Sequence, residues 1–161
     1  MPFLSEADHH QLKTIFAEQL DRHVRLRVLT RTPSNLYVPG RQLCVSCGEA
    51  EPFVRELATL SDNLEVVVHE VQADPAIAQH YRVDGVLPVI LIEPVAPDNG
   101  ANAPATGAIR FLGLPAGYEF STLVADLVDV SKKRVDLSEA TQAELRALDQ
   151  DLHLQVFVTP T

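Results

Sequence analysis

The only two cysteines of the chain, Cys44 and Cys47, are separated by two residues and followed at once by Gly48. A pair with this spacing can exchange disulfides, provided that one sulfur is an accessible thiolate near neutral pH. The same spacing can supply two ligands of a tetrahedral zinc site, which needs four. The pair by itself therefore leaves a redox dithiol and half of a metal site as alternatives.

The elements around the cysteines predict a strand, then the pair, then a helix. Residues 23–31 alternate, with Val24, Leu26 and Val28 on one side and Arg25 and Arg27 on the other, which is typical of a strand with one apolar face.

After Cys47, apolar side chains recur at helical spacing, and Pro52 lies among them, where we expect it to kink the helix. A helix N-terminus offers unpaired backbone N–H groups that stabilise a thiolate. In such an arrangement Cys44 would attack a disulfide and Cys47 would resolve the intermediate.

The downstream sequence predicts the rest of a layered sheet. A β-branched strand over residues 64–71 is followed by a short helix, with Asp74 as N-cap and Pro75 at its first position. A second apolar strand is entered through Pro88. A turn-rich connector over residues 94–107, a returning strand over 108–113 and an amphipathic helix over 118–133 complete the order. This order predicts an α/β fold.

Two further segments flank this unit. Ser5 is a plausible N-cap for a helix that carries apolar residues from Leu12 to Leu20. At the other end, Ser138 precedes a helical pattern, and residues 152–158 alternate as a strand. We therefore expect a domain over residues 1–135, which includes the N-terminal helix, and a helix-strand extension over 136–161.

Strand, CxxC and helix, with Pro52 five residues after the second cysteine, resemble the thioredoxin superfamily. The segment "YRVDGVLPVILIE" is similar to the lead into its cis-proline strand. More specifically, "RFLGLPAGYEFSTLVADLVDVSK" resembles the end of the glutaredoxin-like N-terminal unit of the protein disulfide oxidoreductases, which carry two such units in tandem. "LSEATQAELRALDQDLHLQVFVTPT" is similar to the start of the second unit.

The resemblance implies a thioredoxin-like fold: a glutaredoxin-type mixed sheet of about four strands with helices on both faces. It implies dithiol–disulfide exchange on protein disulfides, with Cys44 as nucleophile and Cys47 as resolving cysteine. It makes Pro88 the cis-proline that faces the pair. Leu87 would offer backbone groups to an incoming peptide, and Gly113 would leave room beside the dithiol.

The family often uses a buried carboxylate as proton acceptor for the resolving cysteine. Glu70 and Glu93, both on predicted strands, are the candidates for that role, and the sequence does not choose between them. The implied reaction needs no bound cofactor, only an external thiol reductant or oxidant.

The chain reaches Thr161 where the second unit of that family would approach its own CxxC, so we expect one active site here. The predicted strand of the extension would be an apolar strand without a sheet of its own, and such strands pair or aggregate. The strand over residues 64–71 is the expected open sheet edge. The C-terminal strand could add to that edge within its own chain or in a partner chain, and a homodimer through this strand is the arrangement that we favour.

Composition makes some classes of partner unfavourable. The formal net charge of -9 disfavours nucleic acid and anionic membranes. The N-terminus lacks a signal-peptide pattern, and no apolar run approaches about 18 residues. We therefore expect a cytoplasmic protein, in which a close cysteine pair is catalytic or metal-binding rather than structural.

Two alternatives to an active oxidoreductase remain from the sequence. The first is a dimeric zinc, iron–sulfur or scaffold module that uses the same CxxC, and the second is a remnant with little activity. Histidines could supply the missing ligands of such a metal site, but His9 and His10 are adjacent on a helix and point in different directions. We therefore expect both to be solvated and predict no metal site.

Overall fold

A computed structural model describes residues 2–32, 44–83, 85–95 and 109–157 of the chain. In chain order the elements are α1 (Glu6–Gln19), β1 (Val24–Thr30), α2 (Cys47–Ala58), β2 (Leu64–Glu70), α3 (Pro75–His80), β3 (Val89–Pro94), β4 (Ile109–Leu112), α4 (Tyr118–Lys132) and α5 (Glu139–Arg146). The elements predicted from periodicity are thus present up to residue 146. Residue 108, the predicted first residue of the returning strand, and most of the connector before it lie outside the described residues.

The four strands form one mixed sheet in the order β2-β1-β3-β4. β1 runs parallel to β2 and antiparallel to β3, and β3 runs antiparallel to β4. The predicted α/β fold with a glutaredoxin-type sheet is confirmed, and β2 lies at an edge as expected. Because β1 and β3 are the inner strands, each is paired with a neighbour on both sides.

Three helices cover one face of the sheet. α1, α2 and α4 pack their apolar side chains on Val24, Leu26 and Val28 of β1 and on Ile90 and Ile92 of β3. The large buried side chains of these helices are Leu12, Phe16, Phe53, Leu57, Leu123 and Leu127. At about 25 cal/mol per Å² of apolar area, burial of such side chains is the main favourable term that holds α2 to the sheet.

The other face of the sheet is covered by α3. Ile77 and Tyr81 pack on Leu29, Val89 and Leu91 in a second, smaller cluster. Asp74 caps α3 as expected, because its side chain accepts a hydrogen bond from the backbone N–H of Ile77. Helices therefore lie on both faces of the sheet.

The predicted alternation of β1 is confirmed, and the side of the strand that carries the arginines is buried as well. All seven residues of β1 are buried, and Arg27 has no exposed surface. Its guanidinium donates to both carboxylate oxygens of Glu93 at 3.1 to 3.2 Å. Arg25 forms an ion pair with Glu65 of β2. The alternating pattern was right, but each arginine is neutralised by a carboxylate that is distant in sequence.

The N-terminal helix is tied to α2. Ser5 and Asp8 form a capping box at the start of α1, as the N-cap prediction requires. His10 is exposed as expected, and the side chain of His9 is 37% exposed but also has a partner, because its Nε2 lies 2.9 Å from Oε1 of Glu56. The same carboxylate accepts hydrogen bonds from the backbone N–H groups of Phe3 and Leu4. Glu56 therefore fastens the chain before α1 onto the helix that carries Cys47.

The C-terminal segment differs from the prediction in one respect. Ser138 caps α5 as expected, and α5 buries none of its residues. Residues 151–157, however, lie in no strand, and the predicted strand is wrong over this range. Leu154, Val156 and Phe157 are each more than four-fifths exposed. A strand requires a partner for its backbone groups, and this segment has none among the described residues of the single chain.

None of the helices within the described ranges is both long enough and apolar enough to cross a membrane.

Candidate redox site

Cys44 and Cys47 form a disulfide at the start of α2, with their Cα atoms 5.4 Å apart. Cys47 is the first residue of the helix and is 3% exposed, whereas Cys44 lies before the helix and is only partly buried. Val45 between them is almost fully exposed. Cys44 is therefore the more accessible residue of the pair, which is the arrangement that an attacking and a resolving cysteine need.

The end of β1 holds the first turn of α2 in place. The buried hydroxyl of Thr30 donates a hydrogen bond to the carbonyl oxygen of Cys47 at 3.1 Å. Sequence reasoning missed this residue, because a threonine that ends a strand carries no local signal of such a contact. The bond fixes Cys47 relative to an inner strand of the sheet.

Pro88 lies beside this anchor. The Leu87–Pro88 peptide bond is cis, as the resemblance implied. Val89 and Leu29 are the last pair in the antiparallel register of β3 and β1, and the same register continued by one position places Pro88 opposite Thr30. Neighbouring strands are about 4.8 Å apart. The fold thus brings Pro88, Thr30 and Cys47 together, although the first and the last are far apart in the sequence.

Gly113 belongs to the same group of residues. Its backbone N–H donates to the carbonyl oxygen of Pro88 at 2.8 Å. Its φ of 101° lies in the region that only glycine adopts without strain. A Cβ atom built there would meet no described atom within 4 Å. Within the described residues, glycine is therefore required by the backbone conformation and not by crowding; the room it leaves for a substrate stays a prediction.

Leu87 precedes the cis bond and is partly buried. Its side chain packs on the cluster beneath α3, and its backbone groups make no backbone hydrogen bond to another described residue. Pairing of these groups with an added strand, as the resemblance implied, would therefore break no backbone bond among the described residues. That use of Leu87 also stays a prediction.

A cavity of about 690 Å³ lies on the β2 side of Cys47. Its charged lining residues are Arg31, Glu51, Arg55 and Glu70, and sequence reasoning identified only the last of them. Glu70 accepts hydrogen bonds from the backbone N–H groups of Thr32 and Ala73. Of the two candidate proton acceptors, Glu70 therefore shares a cavity with Cys47.

Glu93 does not lie at the dithiol. It is five residues beyond Pro88 on β3, which is roughly 16 Å at the usual rise of a strand. It is 2% exposed and engaged by Arg27. Its position and its partner assign it to the packing of the sheet.

The charge network around Arg27 extends to β2. The Nε2 of His69 lies 2.7 Å from the Nη1 of Arg27. Burial lowers the pKa of His69, and the adjacent guanidinium lowers it further. The neutral ring can accept a hydrogen bond from Arg27, whereas the protonated ring could only repel it.

Within the part of the chain that the structure describes, no three side chains of His, Cys, Asp or Glu converge in a way that could hold a metal ion. His9 contacts Glu56 and His69 contacts Arg27, at separate places in the fold.

Comparison with known proteins gives matches at the level of structure. No protein-family model matches the sequence. No curated protein matches it either.

Three solved structures show the same architecture. The protein disulfide oxidoreductase of Aeropyrum pernix K1 superposes with a TM-score of 0.67 and 20% identity, over 89% of this chain and 55% of that one. The alkylhydroperoxide reductase protein AhpF of Enterococcus faecalis V583, in a mutant form, gives 0.67 and 22%, over 91% and 61%. The N-terminal N/C domain of the same AhpF gives 0.67 and 21%, over 91% and 62%.

These superpositions define the class of fold. The chain has the thioredoxin fold, with its CxxC pair as a disulfide at the start of α2 and a cis-proline before β3. Among solved structures it is similar to a protein disulfide oxidoreductase and to the alkylhydroperoxide reductase protein AhpF, and it spans 55% to 62% of the length of these chains.

Proposed function

We propose that this chain is a thiol–disulfide oxidoreductase that acts on protein disulfides through Cys44 and Cys47. The observation that carries the proposal is the position of the disulfide: at the start of α2, bonded through Cys47 to Thr30, and next to cis-Pro88. A disulfide with a purely structural role needs neither a helix start nor a neighbouring cis-proline. It would also stabilise the fold little, because the loop that it closes contains only two residues.

In the reductive direction, the Cys44 thiolate attacks one sulfur of a substrate disulfide. This forms a mixed disulfide and releases the other substrate sulfur as a thiolate, which takes up a proton. The Cys47 thiolate then attacks Cys44, which releases the second substrate thiol and closes the Cys44–Cys47 disulfide. Two electrons pass to the substrate, and an external thiol reductant, of the kind present in a cytoplasmic compartment, regenerates the dithiol.

The roles of the two cysteines can be tested separately. We expect Cys44→Ser to abolish the reduction of insulin disulfides, because the attacking sulfur is gone. We expect Cys47→Ser to accumulate mixed disulfides through Cys44, visible by mass spectrometry and released by dithiothreitol. Full insulin reduction by Cys44→Ser would refute the proposed function. Mixed disulfides that accumulate in Cys44→Ser and not in Cys47→Ser would reverse the two roles.

We further propose Glu70 as the group that accepts the proton of Cys47, because it lines the same cavity. Glu70→Gln should slow the resolution of the mixed disulfide more at pH 6 than at pH 8. At pH 8, hydroxide from the solvent can remove the proton of Cys47 in place of the lost carboxylate. Glu51→Gln, in the same cavity, is the matched control. A uniform loss at both pH values would assign Glu70 to structure alone.

Finally, we propose that two chains associate through residues 151–157 of one and the β2 edge of the other. The exposed apolar side chains of the segment and the open backbone edge of β2 support this proposal.

A further inference from the structure

A second, smaller cavity of about 250 Å³ lies at the β4 edge of the sheet. Its described lining residues are Arg82, Val83, Val86, Val89, Arg110 and Leu112. The lining thus combines an apolar floor with two guanidinium groups, and none of these described residues is acidic. The charge of these lining residues is opposite in sign to the net charge of the chain, whose 22 acidic residues outnumber its 13 lysines and arginines.

The two arginines come from different elements. Arg110 lies on β4, where Nη1 donates to the carbonyl oxygen of Tyr81 at 2.6 Å. Tyr81 is itself 2% exposed, so this contact fastens one end of the guanidinium to a buried part of the fold. A guanidinium has five N–H donors, and the remainder can bind a second acceptor. Arg82 directly follows Tyr81 along the chain.

Three of the residues that line the cavity are direct neighbours, along the chain, of residues that would meet a substrate in the proposed reaction. Val89 immediately follows cis-Pro88, and Leu112 immediately precedes Gly113, whose N–H binds the Pro88 carbonyl. Val86 precedes Leu87 and is half exposed. The cavity therefore adjoins the cis-proline on the α3 side of the sheet, since Val89 belongs to the apolar cluster beneath α3.

A peptide that pairs with the backbone of Leu87 would direct alternate side chains to opposite sides. A side chain close to the substrate cysteine would then reach this cavity. Its volume is below the range of small-molecule sites and suits a single side chain. A carboxylate is the group that two guanidinium groups beside an apolar floor would bind.

We propose that this cavity selects disulfide substrates with an acidic residue next to the reactive cysteine, and that Arg82 and Arg110 bind its carboxylate. The inference rests on the proposed function, because it assigns a specificity to the same site. The exchange itself is unchanged: one disulfide of the substrate becomes two thiols while Cys44 and Cys47 become a disulfide.

The test uses three peptides with one intramolecular disulfide, identical except for Glu, Gln or Lys beside the first cysteine. Stopped-flow measurements follow their reduction by an excess of the reduced protein at low ionic strength. We expect the Glu peptide to react about tenfold faster than the Lys peptide, as expected for charge steering with two partly exposed pairs, with a smaller ratio in high salt.

In R82Q/R110Q the ratio of the Glu to the Lys rate should fall to about one, and in R82E/R110E it should invert. The matched control is R146Q, which removes an arginine on α5 and should keep the wild-type ratio. Equal rates for all peptides with the wild-type protein, or an unchanged ratio in R82Q/R110Q, would overturn the inference and leave the proposed function intact.

Two further results distinguish a failure of the proposed function from a failure of the proposed specificity. If the wild-type protein reduces none of the peptides, the proposed function fails and the inference fails with it. Glutathione disulfide also carries carboxylates, so its reduction is measured in parallel. A loss in R82Q/R110Q that is confined to glutathione disulfide would overturn the assignment of the cavity to an acidic peptide side chain.

Discussion

Gly113 has two structural roles at the site. Its N–H binds the carbonyl oxygen of cis-Pro88, and its φ of 101° allows β4 to turn away immediately afterwards. A side chain at this φ strains the backbone even where space is open.

We expect Gly113→Ala to lower the free energy of unfolding by about 1 to 3 kcal/mol, measured by urea denaturation. Gly48→Ala is the control, since Gly48 lies in the first turn of α2 and has no positive φ. A helical glycine replaced by alanine should stabilise the fold by roughly 0.5 to 1 kcal/mol. An equal loss in both variants would contradict the conformational argument for Gly113.

At the scale of elements, β1 is a strand whose alternation was predicted correctly but whose side-chain partners were not. Its period of two was readable from the sequence, and the register with β2 and β3 follows it. The burial of Arg27 and its ion pair could not be predicted from the sequence, because its partner Glu93 is 66 residues away and only the sheet order brings the two together. Local patterns place a side chain on a face, but they do not say what covers that face.

The buried pair of Arg27 and Glu93 gives a prediction for the same element. Arg27→Met should cost about 3 to 5 kcal/mol in the free energy of unfolding, because the buried carboxylate of Glu93 loses its partner. R27M/E93Q should recover part of that loss, which a double-mutant cycle measures. Glu51→Gln, which breaks the exposed pair with Arg55, should cost at most about 0.5 kcal/mol. A loss in R27M no larger than that in E51Q would contradict the argument.

His69 makes the stability of the contact between β1 and β2 depend on pH. Because the pKa of His69 is lowered in the folded chain, first by burial and then by Arg27, the unfolded chain binds the proton more readily. This contribution to stability is present above the ordinary histidine pKa of about 6.5 and is lost as the pH falls below it.

We therefore expect the urea midpoint of the wild type to fall more between pH 7.5 and pH 5.5 than that of His69→Gln. The histidine control is His153→Gln in the exposed C-terminal segment, which should follow the wild type. Identical pH dependence of the wild type and His69→Gln would show that the contact with Arg27 does not control this titration.

At the scale of the whole molecule, the sequence predicted the thioredoxin-like unit well because each helix and strand carries a clean period and the cis-proline follows at a typical distance. The sequence also indicated the cysteine pair at the start of a helix and the cis bond before Pro88. Thr30 and the arginines of the two cavities were not indicated, since their roles depend on which strand ends the fold brings together.

The proposed association through residues 151–157 belongs to this scale. We expect light scattering to show mass that rises from monomer to dimer with concentration, and trypsin to cleave after Arg146 more slowly at high concentration. Val156→Asp should give a monomer, because a charge interrupts the apolar strand. Val135→Asp, which changes an exposed apolar residue before α5, should still form the dimer. A monomer at all concentrations would exclude the association.

The hydrogen bonds from Thr30 to Cys47 and from Gly113 to Pro88 also have a consequence for how the proposed activity would be lost on heating. They attach both halves of the site to β1 and β3, the two strands whose amide protons should exchange last. We therefore expect the site not to unfold separately from the sheet. Disulfide reduction should persist until the sheet opens as one unit and vanish with it, so that inactivation and unfolding share one temperature.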